Sequence, residues 1–380
     1  MNKISSWFLC VVILVSLSYY TVKSSTSNNK VQRVLGTAQE FIHPGIVNSA
    51  KSLDLIRTEL NGNSTTRIKA FQQVLDFIDA NPISKSYPSV VLAKAAGSTD
   101  TEAQIRRDAI LAYALALKWA ATGKEEDAAN AISVLNGWAR NFTRYAVVKG
   151  SSSTQSQLEG AWVTPNFVAA AEIIRYYKIN NKGAGWNAAD VAKFNDFLIN
   201  LNQNNVSKMV SAMGRNYKTR RNNWGISAGY AKIALGVYFD DRATYEVGKG
   251  ILLNLLPTLI QPDGQIFEFC ERDCVHPQYT MCGLTLAAEI ARTQGDRSIY
   301  ESSSERIRTG WEWMNKAYND GSECRDCSKS SIFSAIEVAN NYYKSPQIEK
   351  LITAKAPFNP TKGHTFLEFL SYTHRKVSQN

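Results

Sequence analysis

Residues 268–279 read E-F-C-E-R-D-C-V-H-P-Q-Y and place Glu268, Glu271, Arg272, Asp273, His276 and Tyr279 within one short stretch. A fixed cation, an imidazole and a phenol at this spacing can hold a carboxylate, take a proton and give one. Pro277 suits the first position of a helix, and the residue before a proline is biased away from helix. Residues 268–276 are therefore expected on a loop, with Tyr279 in the first turn of a helix running to Ala291. Free backbone N–H groups and the positive end of the helix dipole would lie beside the phenol and suit an anion. The plain structural alternative is a salt-bridged loop that caps a helix.

A second cluster, Arg220-Arg221-Asn222-Asn223-Trp224, precedes another expected helix over 223–239. Asparagine caps helix starts, so Asn222 or Asn223 as a simple N-cap is the structural reading. An amide at a helix start is also a neutral donor to a carboxylate. Arg215, Tyr217, Arg220 and Arg221 are basic and aromatic groove residues, or else a solvated loop.

The elements that must position these groups are helical. Apolar residues recur at helical spacing in 101–121, where Ile110, Tyr113, Ala114 and Leu117 fall on one face, and in 157–177, where Phe167, Ala170, Ile174 and Tyr177 do. Further helices are expected over 47–60, 67–78, 125–138, 187–201, 223–239, 241–256, 277–293 and 302–318, with shorter pieces around 332–343 and 347–354. Residues 363–370 fit helix or strand. No strand alternation precedes residue 360. Helical hairpins recur roughly every 50 to 60 residues, the mark of stacked supersecondary units. The expected fold is all-α, an incomplete α/α toroid of about five to six hairpins. Long loops at 81–100, 142–156 and 257–276 would line its groove.

The chain has 380 residues, 43 Lys and Arg against 33 Asp and Glu, and a formal charge of +10. That balance points to an anionic partner. No basic block or nucleic-acid motif is present, so nucleic acid is not expected. Lys3 precedes an apolar run over 7–17 and then a serine-rich stretch, which reads as a secretory signal peptide over 1–25. The run is short for a membrane span, although an uncleaved anchor is the alternative. Residues 26–40 read as irregular, and 41–380 as one domain of a secreted, monomeric protein with no membrane contact after cleavage. Cys270, Cys274, Cys282, Cys324 and Cys327 then remain. Disulfides are expected, one of them bridging the two clusters, with one thiol such as Cys282 left over. Asn63, Asn141 and Asn205 begin N-x-S/T sequons.

The order R-N-N-W-G-I-S-A-G-Y-A, P-D-G-Q-I-F-E-F-C-E-R-D-C-V-H-P-Q-Y and L-A-A-E-I-A-R-T-Q-G-D resembles the alginate lyase superfamily of α/α-toroid polysaccharide lyases. The segments at 41–57, 112–123 and 161–175 look like further parts of it, so the resemblance covers about residues 41–316. It implies β-elimination on a 4-linked uronate polymer. The proton at C5 is α to a carboxylate, so its removal builds enolate-like charge that must be stabilised. A base must take the proton and an acid must protonate O4. Mannuronate lyases of the family carry Asn-Asn-His at the first cluster and an Arg followed seven residues later by a Tyr at the second. Arg272 and Tyr279 keep that spacing, and Asn223 matches the second Asn. Trp224 stands where the family has its histidine, and His276 is the natural substitute.

The resemblance thus implies Asn223 and Arg272 on the carboxylate, Tyr279 as acid and also as a possible base, and His276 as base or charge neutraliser. Asp273 or Glu271 would orient Arg272 or His276. Asn222, Trp224, Arg220, Arg221, Tyr217, Trp162 and Asn166 are the expected substrate-binding residues, with core packing the alternative for Trp162, Asn166 and Tyr113. His43 reads as structural, and His364 could reach the groove from the tail. No metal or cofactor is needed. Two rivals remain. One is a hydrolase that uses a carboxylate pair drawn from Glu268, Glu271 and Asp273. The other is a non-catalytic binder of acidic polysaccharide.

Overall fold

In a computed structural model the chain is described over residues 40–215, 222–358, 360–361 and 363–377. The expected signal peptide and nearly all of 26–40 lie outside these residues. From Glu40 onward the chain packs as one unit.

Two helices, α1 (Ala50–Asn61) and α2 (Thr65–Ala80), lead into five hairpins. These are α3 (Asp100–Thr122) with α4 (Glu125–Asn141), and α5 (Gln155–Tyr176) with α6 (Ala188–Leu201). After α7 (Ser207–Arg215) come α8 (Asn223–Tyr238) with α9 (Arg242–Leu259). A short α10 (Phe267–Glu271) precedes α11 (His276–Thr293) with α12 (Ser298–Asn319), and α13 (Ala335–Tyr343) pairs with α14 (Pro346–Lys355). The chain closes on α15 (Leu370–His374).

Helices α3, α5, α8, α11 and α13 neighbour one another in sequence and form the inner ring. Their residue types explain why. From Gly225 to Tyr238 every residue of α8 is buried, and so is every residue of α11 from Pro277 to Ala291. A helix apolar on all sides must be surrounded. The outer helices carry narrower apolar stripes; α6 buries only Phe194, Phe197, Leu198 and Leu201.

The inner helices run in one direction. At their N-terminal ends, Arg106 of α3 pairs with Glu159 of α5, and Trp162 of α5 meets Tyr279 of α11. At the other end, Trp119 meets Tyr177, while His43 bonds both Glu172, in the last turns of α5, and Asp240, just past α8. His43 is therefore structural: it straps the segment before α1 across two helix ends. Residues 363–377 return across the gap between the last hairpin and α2. There the Arg67 guanidinium donates to the carbonyls of Ser371, Tyr372 and Arg375.

The structure departs from the sequence reading in four places. Val90–Ala93 (β1) and Arg144–Val147 (β2) pair as a two-stranded parallel sheet inside two expected loops. Four-residue strands give too little alternation to register. A π turn at Asn202–Val206 and α7 follow α6 where no element was expected. Residues 267–271 form one helical turn rather than loop. Residues 363–369 are irregular, and helix begins only at Leu370.

Helices α8 and α9 approach through glycine. A Cβ on Gly248 would lie 2.7 Å from both Gly229 O and Ile233 N, whereas one on Gly250 would meet nothing within 4 Å. Gly248→Ala should therefore cost about 1–3 kcal/mol through forced separation of the pair. Gly250→Ala should be stabilising by about 0.5–1 kcal/mol through helix propensity. Thermal unfolding of the two variants checks this, with the two shifts expected in opposite directions.

Candidate active site

Four chain segments meet where the inner helices begin. Val275 precedes α11 and Pro277 occupies its first turn, so the Arg272 turn feeds directly into the helix that carries His276 and Tyr279. Asp273 organises this turn. Its Oδ1 accepts from the backbone N–H of Val275 at 2.7 Å and of His276 at 2.8 Å, and its Oδ2 lies 2.7 Å from His276 Nδ1. Burial pushes the Asp273 carboxyl up, but these backbone donors and the His276 ring outweigh it and hold the group below its usual value. An ionised Asp273 fixes the His276 tautomer with Nδ1–H donated and the Nε2 lone pair facing outward. Arg272 Nη2 donates to that lone pair at 2.9 Å.

Tyr279 closes the same first turn of α11, three residues after His276, and is 8% exposed. Its ring is packed among His276, Trp162, Phe333 and Phe366, with centroid distances between 5.6 and 5.8 Å. Burial pushes its hydroxyl up to about 12, with the Arg106 guanidinium pulling the other way. The phenol is thus a proton donor at neutral pH. Arg106 stacks over Trp162 at 5.1 Å and is clamped by Glu159, Nε to Oε2 at 2.7 Å.

Beneath this floor lies Glu268, which is 1% exposed. It accepts from Asn223 N at 2.9 Å, Asn223 Nδ2 at 2.7 Å and Thr280 Oγ1 at 2.7 Å. Burial pushes Glu268 up, and those donors oppose the shift. Asn222 caps α8 by accepting from Trp224 N at 3.0 Å. Trp224 is half-buried against the core.

The expected residues therefore divide. Arg272, His276, Tyr279 and Trp162 come together. Asn223 is buried and its amide N–H is committed to Glu268, so it supports the floor instead of facing the cleft. Asn166 is one helical turn below Trp162, fully buried, and its amide meets no partner among the described residues. It offers a polymer no surface here. Tyr217, Arg220 and Arg221, and the side chain of Arg215, lie outside the described residues. Asn205 is buried and donates to Ser156 O, which leaves its sequon no room for a glycan, whereas Asn63 and Asn141 are exposed.

Sequence reasoning missed Arg106, Glu159, Phe333 and Phe366. The one available sign was charge inside an apolar helix: Arg106 and Asp108 sit among the most buried residues of α3. A buried charge requires a partner.

Two disulfides frame Arg272. Cys270 bonds Cys324 and Cys274 bonds Cys327, while Cys282 is free and buried. Both bridges cross between the two cysteine clusters. Gln278 adds to the fastening: its Nε2 donates to Ser331 O, and its Oε1 accepts from Phe333 N.

A family model described as alginate lyase matches residues 27–324. Among solved structures, alginate lyase A1-III from Sphingomonas species A1 superposes with a TM-score of 0.61 at 17% identity, covering 87% of this chain and 98% of that one. A tyrosine-to-phenylalanine variant of alginate lyase A1-III, complexed with a tetrasaccharide, gives 0.61 at 16% identity over the same shares. A histidine-to-alanine variant, also with a tetrasaccharide, gives 0.60 at 17% identity, covering 87% of this chain and 97% of that one. The α/α toroid is thus shared with these enzymes. No curated protein sequence matches the chain.

Replacing Cys270, Cys274, Cys324 and Cys327 together by serine should cost about 2–4 kcal/mol, because the long loop that both bridges close is then released in the unfolded chain. Thermal unfolding under non-reducing conditions should show the loss, and adding a thiol reductant should lower the unfolding temperature of the parent toward that of the variant.

Proposed function

We propose that this chain, which belongs to the alginate lyase family and is a polysaccharide lyase, cleaves a 4-linked uronate polymer by β-elimination. The observation that carries the reading is the first turn of α11. It holds a buried, protonated phenol beside an imidazole whose outward nitrogen is a lone pair, with an arginine bonded to that lone pair.

The uronate carboxylate docks where α8 and α11 begin, against backbone dipoles that favour negative charge. Arg272 swings from His276 to the carboxylate, which neutralises it and frees Nε2. That nitrogen then takes the C5 proton. The C5–H pair becomes the C4–C5 double bond, the C4–O4 bond breaks, and Tyr279 gives its proton to O4. Substrate binding thereby unmasks the base. The competing assignment lets Tyr279 carry out both transfers, with His276 only balancing charge.

Acid and base stand on one helical turn, so they address one face of the sugar. In mannuronate and glucuronate the C5 hydrogen and O4 lie on the same face of the ring, whereas in guluronate they lie on opposite faces. The geometry therefore favours polymannuronate or glucuronan as substrate. The two disulfides suit an oxidising compartment, in keeping with secretion.

The carboxylate-pair hydrolase has little support. Glu268 is buried under three donors and Asp273 is bonded to His276 and the backbone, which leaves Glu271 exposed without a matching partner across the cleft among the described residues.

Ultraviolet absorbance of the unsaturated uronate product, followed on polymannuronate, glucuronan and polyguluronate, tests the proposal. Absorbance should rise on one of the first two. Tyr279→Phe should lower kcat by about 10²–10⁴-fold, because it keeps the ring and removes the proton. His276→Gln should do the same if His276 is the base, and should spare most of kcat if Tyr279 acts alone. Reducing ends without absorbance would reject the elimination.

A further inference from the structure

We propose that His364, on the C-terminal segment beyond the family match, binds a sugar hydroxyl at the rim of the Tyr279 cleft; this rests on the uronate-polymer reading above. The segment reaches the cleft at two points that flank the residue. Gly363 lies against Arg106, where a Cβ would come within 3.1 Å of Nη1. Phe366 packs on Tyr279 at 5.8 Å and on Tyr230 at 6.3 Å. His364 stands between them in the chain, next to the glycine that touches Arg106 and two residues before the phenylalanine that touches Tyr279.

Its ring is set up for recognition. His364 Nδ1 lies 3.0 Å from Glu368 Oε1, and Glu368 is buried. The same oxygen accepts from Thr361 N and Thr361 Oγ1, each at 3.1 Å, so the carboxylate is fixed before the imidazole meets it. Phe77 holds the ring edge-on at 5.5 Å. With Nδ1–H donated to Glu368, Nε2 presents a lone pair, and 27% of the side chain is open to solvent. A fixed acceptor beside an aromatic surface fits a sugar hydroxyl.

The backbone adds a second sign. His364 takes φ of 55°, in the left-handed region that costs a non-glycine residue about 1 kcal/mol or more. The neighbouring Gly363 takes φ of 73° without that cost. The bond to buried Glu368 and the contact with Phe77 hold the ring in place against that cost, so the backbone strain marks a position where this side chain is fixed.

The test uses the full chain with His364→Gly and His364→Asn. Turnover is followed on the polymer that the parent cleaves, binding is measured calorimetrically with tetramers of mannuronate and of glucuronate, and unfolding is measured thermally. For His364→Gly, KM and the tetramer Kd should rise about five- to ten-fold, the effect of one lost hydrogen bond, with kcat within about two-fold. The unfolding temperature should move by only a few degrees, because relief of the backbone strain offsets the bond that Glu368 loses. His364→Asn tolerates the same backbone and should recover part of the affinity through its carbonyl. Unchanged KM and Kd, or a lowered unfolding temperature with unchanged affinity, would overturn the role of His364 and leave the lyase intact. Weakened tetramer binding by His364→Gly, with a parent that binds but makes no unsaturated product, would keep His364 and reject the elimination. No binding of either tetramer by the parent would reject both.

Discussion

One buried carboxylate joins the parts of the cleft. Glu268 receives donors from the first residue of α8 and from the second turn of α11, and it belongs to the short α10 between them. Two neighbouring segments, α10 and α11, and the start of α8 45 residues upstream are thereby fixed to one side chain. A buried charge with all its donors in place rigidifies its surroundings; with one donor missing it becomes a source of instability. The Arg272 turn leaves directly from α10, so the positions of Arg272, Asp273 and His276 all refer back to this anchor. The disulfides at Cys270 and Cys274 hold the same turn from the outer side.

That arrangement also explains why so acidic a stretch of sequence builds a site for an anion. Glu268 is sunk beneath the floor, and Asp273 spends its charge on the N-terminal backbone of α11 and on His276. What remains toward the cleft is Arg272, the imidazole, the phenol and the helix starts. The two carboxylates arrange the cations and donors and do not themselves oppose the ligand.

Much of this was legible in the sequence, for physical reasons. Long inner helices such as α5 and α11 announce themselves through sustained apolar content, and Pro277 marks the start of α11. Tyr279 could be placed in a first turn because a proline fixes where helix begins. The cysteine clusters suggested a bridge, and there are two. What stayed hidden depends on distance in sequence. Nothing local to Asn223 shows that its partner is Glu268, so its side chain read as a substrate donor. Phe333 and Phe366 are ordinary apolar residues until the tail folds back onto Tyr279. The pairing of β1 with β2 brings together two segments that each look like loop.

The route of the last residues has a consequence for how the enzyme comes into being. Phe333 and Phe366 build the wall behind the phenol, and Arg67 near the beginning grips carbonyls near the end. During synthesis the inner helices emerge first and can begin to associate, since folding proceeds from the N-terminal side. The pocket around Tyr279 nevertheless stays open on one side until the final stretch leaves the ribosome and closes the ring. Termination before Phe366 would leave a mostly helical body whose phenol lacks that ring beside it. A chain without residues 363–377 thus lacks one side of the wall behind its phenol.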